Sequence, residues 1–418
     1  MTTGSHSPAS PCPPVIRGRP DHPIRAHEID PDAMKIVYRL HRMGFTSYIV
    51  GGAVRDLLLR RKPKDFDIAT DARPGQIKKR FNNAYVIGRR FRLVHVRFQG
   101  NKVIEVATFR RITEAVEVGE TEAEIVQVDS YGTPAEDAFR RDITINALFY
   151  DPIADVVIDY VGGLEDMARR TIRSIGDPIV RFREDPVRIW RVLRHAARID
   201  FRLEESVRKA IPEELPLLGH CSGARLYEEL NKDLAQSPGP VFRRLREFGV
   251  LGTLLGRSGR TYERDEPLFE KLCGLLEAVD ASRAAGAVWD PGELYTVVFE
   301  PLAEETLISP PEDLHTAILD LMLSPGTSIT IPKKLRADVS QIMYVLGHML
   351  RALPTGRMRW SLRERAHFAP AGRICWLLVK GRPPAAGESF EALFREKHEG
   401  DGGIQRKRRK RRRFRSSE

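Results

Sequence analysis

The stretch "GGAVRDLLLRRKPKDFDIAT", residues 51–70, decides how the rest of the chain is read. With the preceding residues, "SYIVGG" reads as a short strand entering a glycine turn, "AVRDLLLRR" as a helix and "DFDIAT" as a second strand. Side chains alternate across a strand. Asp65 and Asp67 therefore leave one face, and Phe66 and Ile68 the other. Two carboxylates a few ångströms apart repel by about 1–4 kcal/mol at effective dielectrics of roughly 80 to 20. A divalent cation removes that repulsion. Mg²⁺ in particular favours one or two carboxylates completed by water and substrate phosphate, and two such ions can clamp a phosphoryl transfer.

A D-x-D pair alone is more often a solvated strand end. The glycine pair shifts that balance. Gly51 and Gly52 at a helix start let backbone N–H groups approach a phosphate where the helix dipole favours an anion. Arg55 follows one turn later. Downstream, "YVIG", "FRLVHVRFQG" and "KVIEVATFR" are strand candidates, with a hairpin turn at Gly100-Asn101. Glu105 shares a strand face with Val103, Ala107 and Phe109. A buried acid there needs a partner, which makes Glu105 the candidate third metal ligand beside Asp65 and Asp67.

Two further clusters carry charge at helical spacing. "RRDITINALFY" places Asp142 and Asn146 four residues apart on an expected helix face, beside Arg140 and Arg141. The plain alternative is a salt-bridged helix. "REDPVRIWRVLRHAAR" puts Pro186 at a first helical position and makes Asp185 a natural N-cap. Arg188, Arg191, Arg194 and Arg198 follow at spacings of three, three and four, with Ile189, Val192, Leu193 and Ala196 on the buried side. An arginine stripe without interleaved acids repels itself, and a phosphate chain is a natural counterion.

Composition bounds the rest. The chain has 418 residues, 42% hydrophobic and 30% charged, enough for two or three domains. No apolar run is long enough to span a membrane, no signal-peptide pattern opens the chain, and four scattered cysteines lack C-x-x-C spacing. A cytoplasmic protein with reduced thiols is expected. The net charge is +11, and "RKRRKRRRFR" (residues 406–415) supplies nine positive charges, leaving 11 − 9 = +2 for the remainder. Such a tail is expected to be disordered and to bind polyanions such as RNA. Residues 1–27 are rich in Pro, Ser and Gly and are expected to be disordered as well. A helix runs from Pro31 to Gly44, residues 111–135 read as a mobile loop, and helical patterns dominate from about Glu136, with no good strand between Arg188 and Leu350. The expected architecture is a mixed α/β head followed by a long all-helical region. The segment "VWDPGELYTVVFEPL" (residues 288–302) fits no motif.

"IVGGAVRDLLLRRKPKDFDIAT", "RRDITINALFYDP" and "REDPVRIWRVLRHAARIDFRL", in this order and spacing, together resemble the nucleotidyltransferases that include CCA-adding enzymes and bacterial poly(A) polymerases. The resemblance covers residues 31–235, and "CSGARLYEELNKDL" (residues 221–234) looks like the next family motif, in which Arg225 and Glu229 brace the neck helices. It implies a polymerase-β-like nucleotidyltransferase head at 28–160, a helical neck with a nucleotide-reading helix at 161–240, a helical RNA-binding body at 241–400 and the basic tail at 401–418. It implies that Asp65 and Asp67 bind two Mg²⁺ ions, with Asp142 counted among the catalytic carboxylates. Gly51, Gly52 and Arg55 would cradle the triphosphate. Arg141 and Asn146 would meet ribose and phosphates, Asp185 and Arg188 would read the base edge, and Arg191 and Arg194 would hold the triphosphate.

"VIGRRFRLVHV" (residues 86–96), "IEVATFR" and the basic tail look like the poly(A) polymerase branch. The implied activity is template-independent transfer of AMP from ATP to RNA 3′ ends. A tRNA CCA-adding or A-adding enzyme is the alternative, since composition and spacing do not separate the two. A noncatalytic RNA-binding protein on a retained head is a third reading, against which the intact carboxylates and glycine turn weigh. A monomer is the expected state. His95 and His220 read as structural.

Overall fold

The computed structural model describes residues 13–88, 93–111, 130–380, 390, 391 and 393. The described residues divide into two compact units: those up to 280 together with 323–331, and those of 281–322 together with those from 332 onward.

The first unit is built on an eight-stranded mixed sheet. Its strands are β1 (Val15–Arg17), β2 (Ser47–Val50), β3 (Asp67–Thr70), β4 (Ala84–Ile87), β5 (Leu93–Arg97), β6 (Val103–Thr108), β9 (Leu148–Asp151) and β10 (Val156–Asp159), after the two-stranded ribbon of β7 (Arg110–Arg111) and β8 (Ser130–Tyr131). The order is β1-β10-β9-β2-β3-β6-β5-β4, and only β3 and β6 run parallel. The β5–β6 hairpin turns at Gly100 and Asn101, both at positive φ as expected for a tight turn. Helix α1 (Pro31–Arg42) starts on an Asp30 cap and buries Ala33, Ile36, Val37 and Leu40. Below the sheet, Phe109 and Phe149 meet edge to face with centroids 6.3 Å apart, and Val50, Ala69, Ile158 and Ile175 pack around them.

The helices that follow begin with α2 (Gly52–Leu58), α3 (Pro74–Arg80), α4 (Pro134–Phe139), α5 (Gly163–Arg169) and α6 (Pro178–Glu184). Next come α7 (Val187–Ile199), α8 (Glu205–Leu218), α9 (Gly223–Leu234), α10 (Pro238–Glu247), α11 (Val250–Arg264) and α12 (Glu266–Ala284). In the second unit, α13 (Pro291–Ile308), α14 (Leu314–Met322), α15 (Lys333–Ala352) and α16 (Phe368–Lys380) form a helical core. Residues 288–302, unplaced from sequence, become mostly α13. That helix is capped by Asp290 and buried along most of its length, with Glu293 paired to Arg373 of α16. No helix among the described residues is long and apolar enough to cross a membrane.

Several expectations are corrected. Residues 13–27 are not disordered: His22 and Ile24 are buried, and Val15, Ile16 and Arg17 add an edge strand to β10. All three side chains stay exposed, so backbone pairing with an open sheet edge, not core burial, orders them. Residues 1–12 and the basic tail lie outside the described residues, as does most of the expected 111–135 loop. The segment "RRDITINALFY" is not one helix. Helix α4 stops at Phe139, a 3₁₀ turn occupies Thr144–Asn146, and Leu148 begins β9. The β-branched Ile143, Thr144 and Ile145 favour this break, and Ile143 bridges Ser174. Between Arg188 and Leu350 one short strand does form, Arg202–Leu203 beside Thr171–Ile172.

Candidate active site

Gly51 turns the chain from β2 into α2 with φ 73° and ψ −138°, a combination open to glycine alone. A Cβ there would stand 3.3 Å from Arg141 Nη1. The turn and α2 form one wall of a cavity of about 680 Å³, lined by Gly52, Arg55, Asp65, Asp67, Arg191 and His195 among others. Helix α7 supplies the facing wall.

Asp67 opens β3 and sits in register with Glu105 on the neighbouring parallel strand. Asp65 is not in the strand. It precedes it by two residues in a bent segment, its side chain 75% exposed and 3.9 Å from Lys64 Nζ. Glu105, expected to be buried, is half exposed and 3.4 Å from His95 Nε2, because the cleft-side face of β6 is open to solvent. Desolvation, then the charges of Glu105 and Asp65, push the Asp67 carboxyl up to about 6, against the pull of Arg141. Three carboxylates that repel one another are the donor chemistry a hard divalent ion neutralises. No group of three acidic, histidine or cysteine side chains among the described residues converges on a single point. Mg²⁺ does not require one, since water and phosphate complete its shell.

Arg141 lies between the glycine turn and these acids. Its guanidinium clasps Asp137 at 2.9 Å and donates to the Asn146 carbonyl at 3.0 Å. Asp137 is buried, yet Arg141 and Arg140 hold its carboxyl below the usual range. Arg55 donates to Asn146 Oδ1 at 2.8 Å, so the 3₁₀ turn sets Asn146 against α2 and the cleft-lining Arg55 rather than along a helix face.

The arginines of α7 are not an unpaired stripe; acids reach them from other elements. Arg191 Nε stands 2.6 Å from Asp142 Oδ2, and Arg188 lies 3.6 Å from Asp142 and 3.0 Å from Glu184. Arg194 is buried and engaged on all sides, by the carboxylates of Asp233 and Glu229 and the Glu229 carbonyl. Trp190 Nε1 donates to Asp233 as well. This buried cluster joins α7 to α9, and in it Glu229 braces the helices. Asp185 terminates α6. One of its oxygens accepts from the Val187 amide at 3.2 Å, as a cap does, while the other takes Arg225 Nη2 at 2.7 Å. The side chains of Asp185 and Arg188 do not touch: Arg225 is the partner of one, Glu184 and Asp142 of the other.

Sequence reasoning missed Asp137, Asp56 and His195. Asp56 accepts from Arg55 at 2.7 Å. His195 lies between Arg55 and Asn146, and burial followed by Arg55, Arg191, Arg194 and Arg198 holds its pKa well below the ordinary 6.5.

A strand-end carboxylate beside a glycine-started helix, faced by an arginine-bearing neck helix, is the arrangement of a nucleotidyltransferase. The poly(A) polymerase head-domain family matches residues 47–173, and a family described as the probable RNA and SrmB-binding site of polymerase A matches residues 200–256. Poly(A) polymerase I of Salmonella typhi is 35% identical over 374 residues, covering 85% of this chain and 80% of that protein. A CCA-adding enzyme of Bacillus licheniformis is 37% identical over 229 residues, 54% of this chain and 56% of that protein. The crystal structure of Bacillus stearothermophilus CCA-adding enzyme in complex with CTP superposes with a TM-score of 0.64 at 25% identity, over 88% of this chain and 83% of that one. The chain belongs to the poly(A) polymerase I family of nucleotidyltransferases.

Proposed function

We propose that this protein adds AMP from ATP to RNA 3′ ends without a template. The observation that carries the reading is the extent of the likeness. Poly(A) polymerase I aligns over 85% of the chain, through both sides of the cleft and beyond it, whereas the CCA-adding enzyme aligns over 54%.

Each group has a physical task. The Gly51-Gly52 turn leaves room for backbone N–H groups to meet a phosphate, and Arg55 and Arg191 face the cleft as cations for the triphosphate. Asn146, from the 3₁₀ turn, and Arg141, from the segment between α4 and that turn, hold ribose and neighbouring phosphate. Asp142, 2.6 Å from Arg191 Nε, restrains that arginine, which suits a positioning carboxylate. Arg194, saturated by Asp233 and Glu229, braces α7 instead of reaching the triphosphate. Asp185, with Arg225 behind it, and Arg188 read the base edge. Only a matching base compensates for displacing the partners that Asp185 and Arg188 already hold, which is how a template-free site selects. Asp67, Asp65 and Glu105 are the groups that would hold Mg²⁺, as two ions. When bound, the metal would neutralise these carboxylates, polarise the reacting phosphate and lower the pKa of the attacking hydroxyl. The remaining contribution is positioning and a fixed electrostatic environment. The 406–415 tail adds salt-dependent affinity for RNA.

A tRNA CCA-adding activity is the second reading, favoured by the superposition on the CTP complex. Incubating the protein and Mg²⁺ with a generic RNA and with a tRNA lacking its 3′ end, each nucleotide supplied separately, distinguishes them. ATP-dependent ladders on both RNAs support poly(A) addition. Efficient CTP incorporation on the tRNA alone overturns it.

A further inference from the structure

Arg55 is held from two directions. Its Nε and Nη2 clasp Asp56 Oδ1 at 2.9 and 2.7 Å. Its Nη1 stands 2.8 Å from Asn146 Oδ1 and 3.4 Å from His195 Nδ1. Asn146 Nδ2 in turn faces His195 Nε2 at 3.2 Å. Side chains from α2, the 3₁₀ turn and α7 thus close a triangle, two of whose members, Arg55 and His195, line the cleft.

The triangle holds one donor too many. A neutral imidazole has one N–H and one acceptor nitrogen. Here both nitrogens face donors, a guanidinium N–H at Nδ1 and an amide N–H at Nε2. Turning the amide over only moves the conflict, because its NH₂ then faces Arg55. Protonating the ring makes it worse, and four arginines oppose that step. The surplus falls on the longest contact, Arg55 Nη1 to His195 Nδ1. One Arg55 N–H is therefore poorly satisfied beside the cleft, and an anionic oxygen entering the cleft supplies the missing acceptor.

We propose that His195 is a positioning residue for nucleotide binding: together with Asn146 it aims Arg55, so that the poorly satisfied guanidinium N–H meets a nucleotide phosphate oxygen. The inference rests on the nucleotidyl-transfer reading of the cleft. A neutral imidazole suits the task because it fixes the direction of the guanidinium without competing with phosphate. A carboxylate at the same place would trap Arg55 in an ion pair, and an aromatic ring would leave it unguided.

The test uses the full chain carrying His195→Phe, His195→Gln or His195→Glu, each also combined with Arg55→Ala. ATP binding is measured by calorimetry, KM and kcat on an RNA oligonucleotide, and folding by thermal melting. His195→Phe is expected to raise KM for ATP about tenfold with kcat within about threefold, the signature of lost ground-state binding. His195→Gln, which keeps an acceptor for the Asn146 amide, recovers most of the loss, and His195→Glu does not. In the Arg55→Ala background the three substitutions have no further effect on KM, since contacting residues couple. Unchanged KM in folded His195→Phe overturns the proposal, as does an equal loss with and without Arg55. If His195→Phe does not fold, the contrast between the glutamine and glutamate variants decides in the same way. Wild-type protein that fails to bind ATP overturns the reading of the cleft and the inference with it. Wild-type binding with indifferent variants overturns the inference alone.

Discussion

Glu105 stands beside Asp67 in register across two parallel strands, so the sheet itself sets two carboxylates next to each other at the cleft. Asp67 carries the consequence, with a carboxyl raised from 3.8 to about 6. Without metal, the native state binds more protons than the unfolded chain between those values, so this group's contribution to stability falls as pH rises through the window and its penalty is complete above about 6. Asp67→Asn should therefore raise Tm in chelator at pH above about 7, change it little near pH 4, and abolish AMP transfer. Melting curves at the two pH values and a transfer assay check this.

Arg191 and Arg194 share a helix but should fail differently. Arg194→Met removes the buried cation that Asp233 and Glu229 share, leaving, among the described residues, only Arg198 at 3.7 Å for the first and Lys232 for the second, and is expected to cost about 3–5 kcal/mol of stability. Arg191→Gln removes a partly exposed pair with Asp142, should cost under about 1 kcal/mol, and should raise KM for ATP about tenfold. Denaturant unfolding and steady-state kinetics separate the two effects.

Arg225 holds the free oxygen of Asp185 at 2.7 Å. Arg225→Ala should loosen that carboxylate and reduce the preference for ATP over the other nucleotides about tenfold, with a smaller change in kcat for ATP itself. Competition between labelled nucleotides reads the ratio directly.

Gly51→Ala should lower stability by about 1–3 kcal/mol, because the backbone there is open only to glycine and the new methyl meets Arg141. The same displacement should weaken ATP binding, measurable by calorimetry on the folded fraction.

The strand–turn–helix–strand order around the glycine pair was legible because period-two and helical patterns change there without ambiguity. Less legible was what lies far apart in sequence. The α7 arginines read as a self-repelling stripe because Asp142 and Asp233 come from other elements. Asp142 and Asn146 read as helix neighbours because four-residue spacing outweighed the β-branched run between them. Val15–Arg17 lie in a Pro-, Ser- and Gly-rich stretch that read as unable to order, since an edge strand is held by backbone pairing that composition does not reveal. His195 was hidden for a similar reason: its significance lies in Arg55, 140 residues away.

The central claim is that the cleft at Asp67 transfers AMP from ATP to RNA. The most direct measurement is a product ladder on one generic RNA with Mg²⁺ and each nucleotide alone, for the wild type and Asp67→Asn. The account predicts a long ladder with ATP only, lost in the variant. Extension by CTP in place of ATP, or a ladder that survives Asp67→Asn, would contradict it.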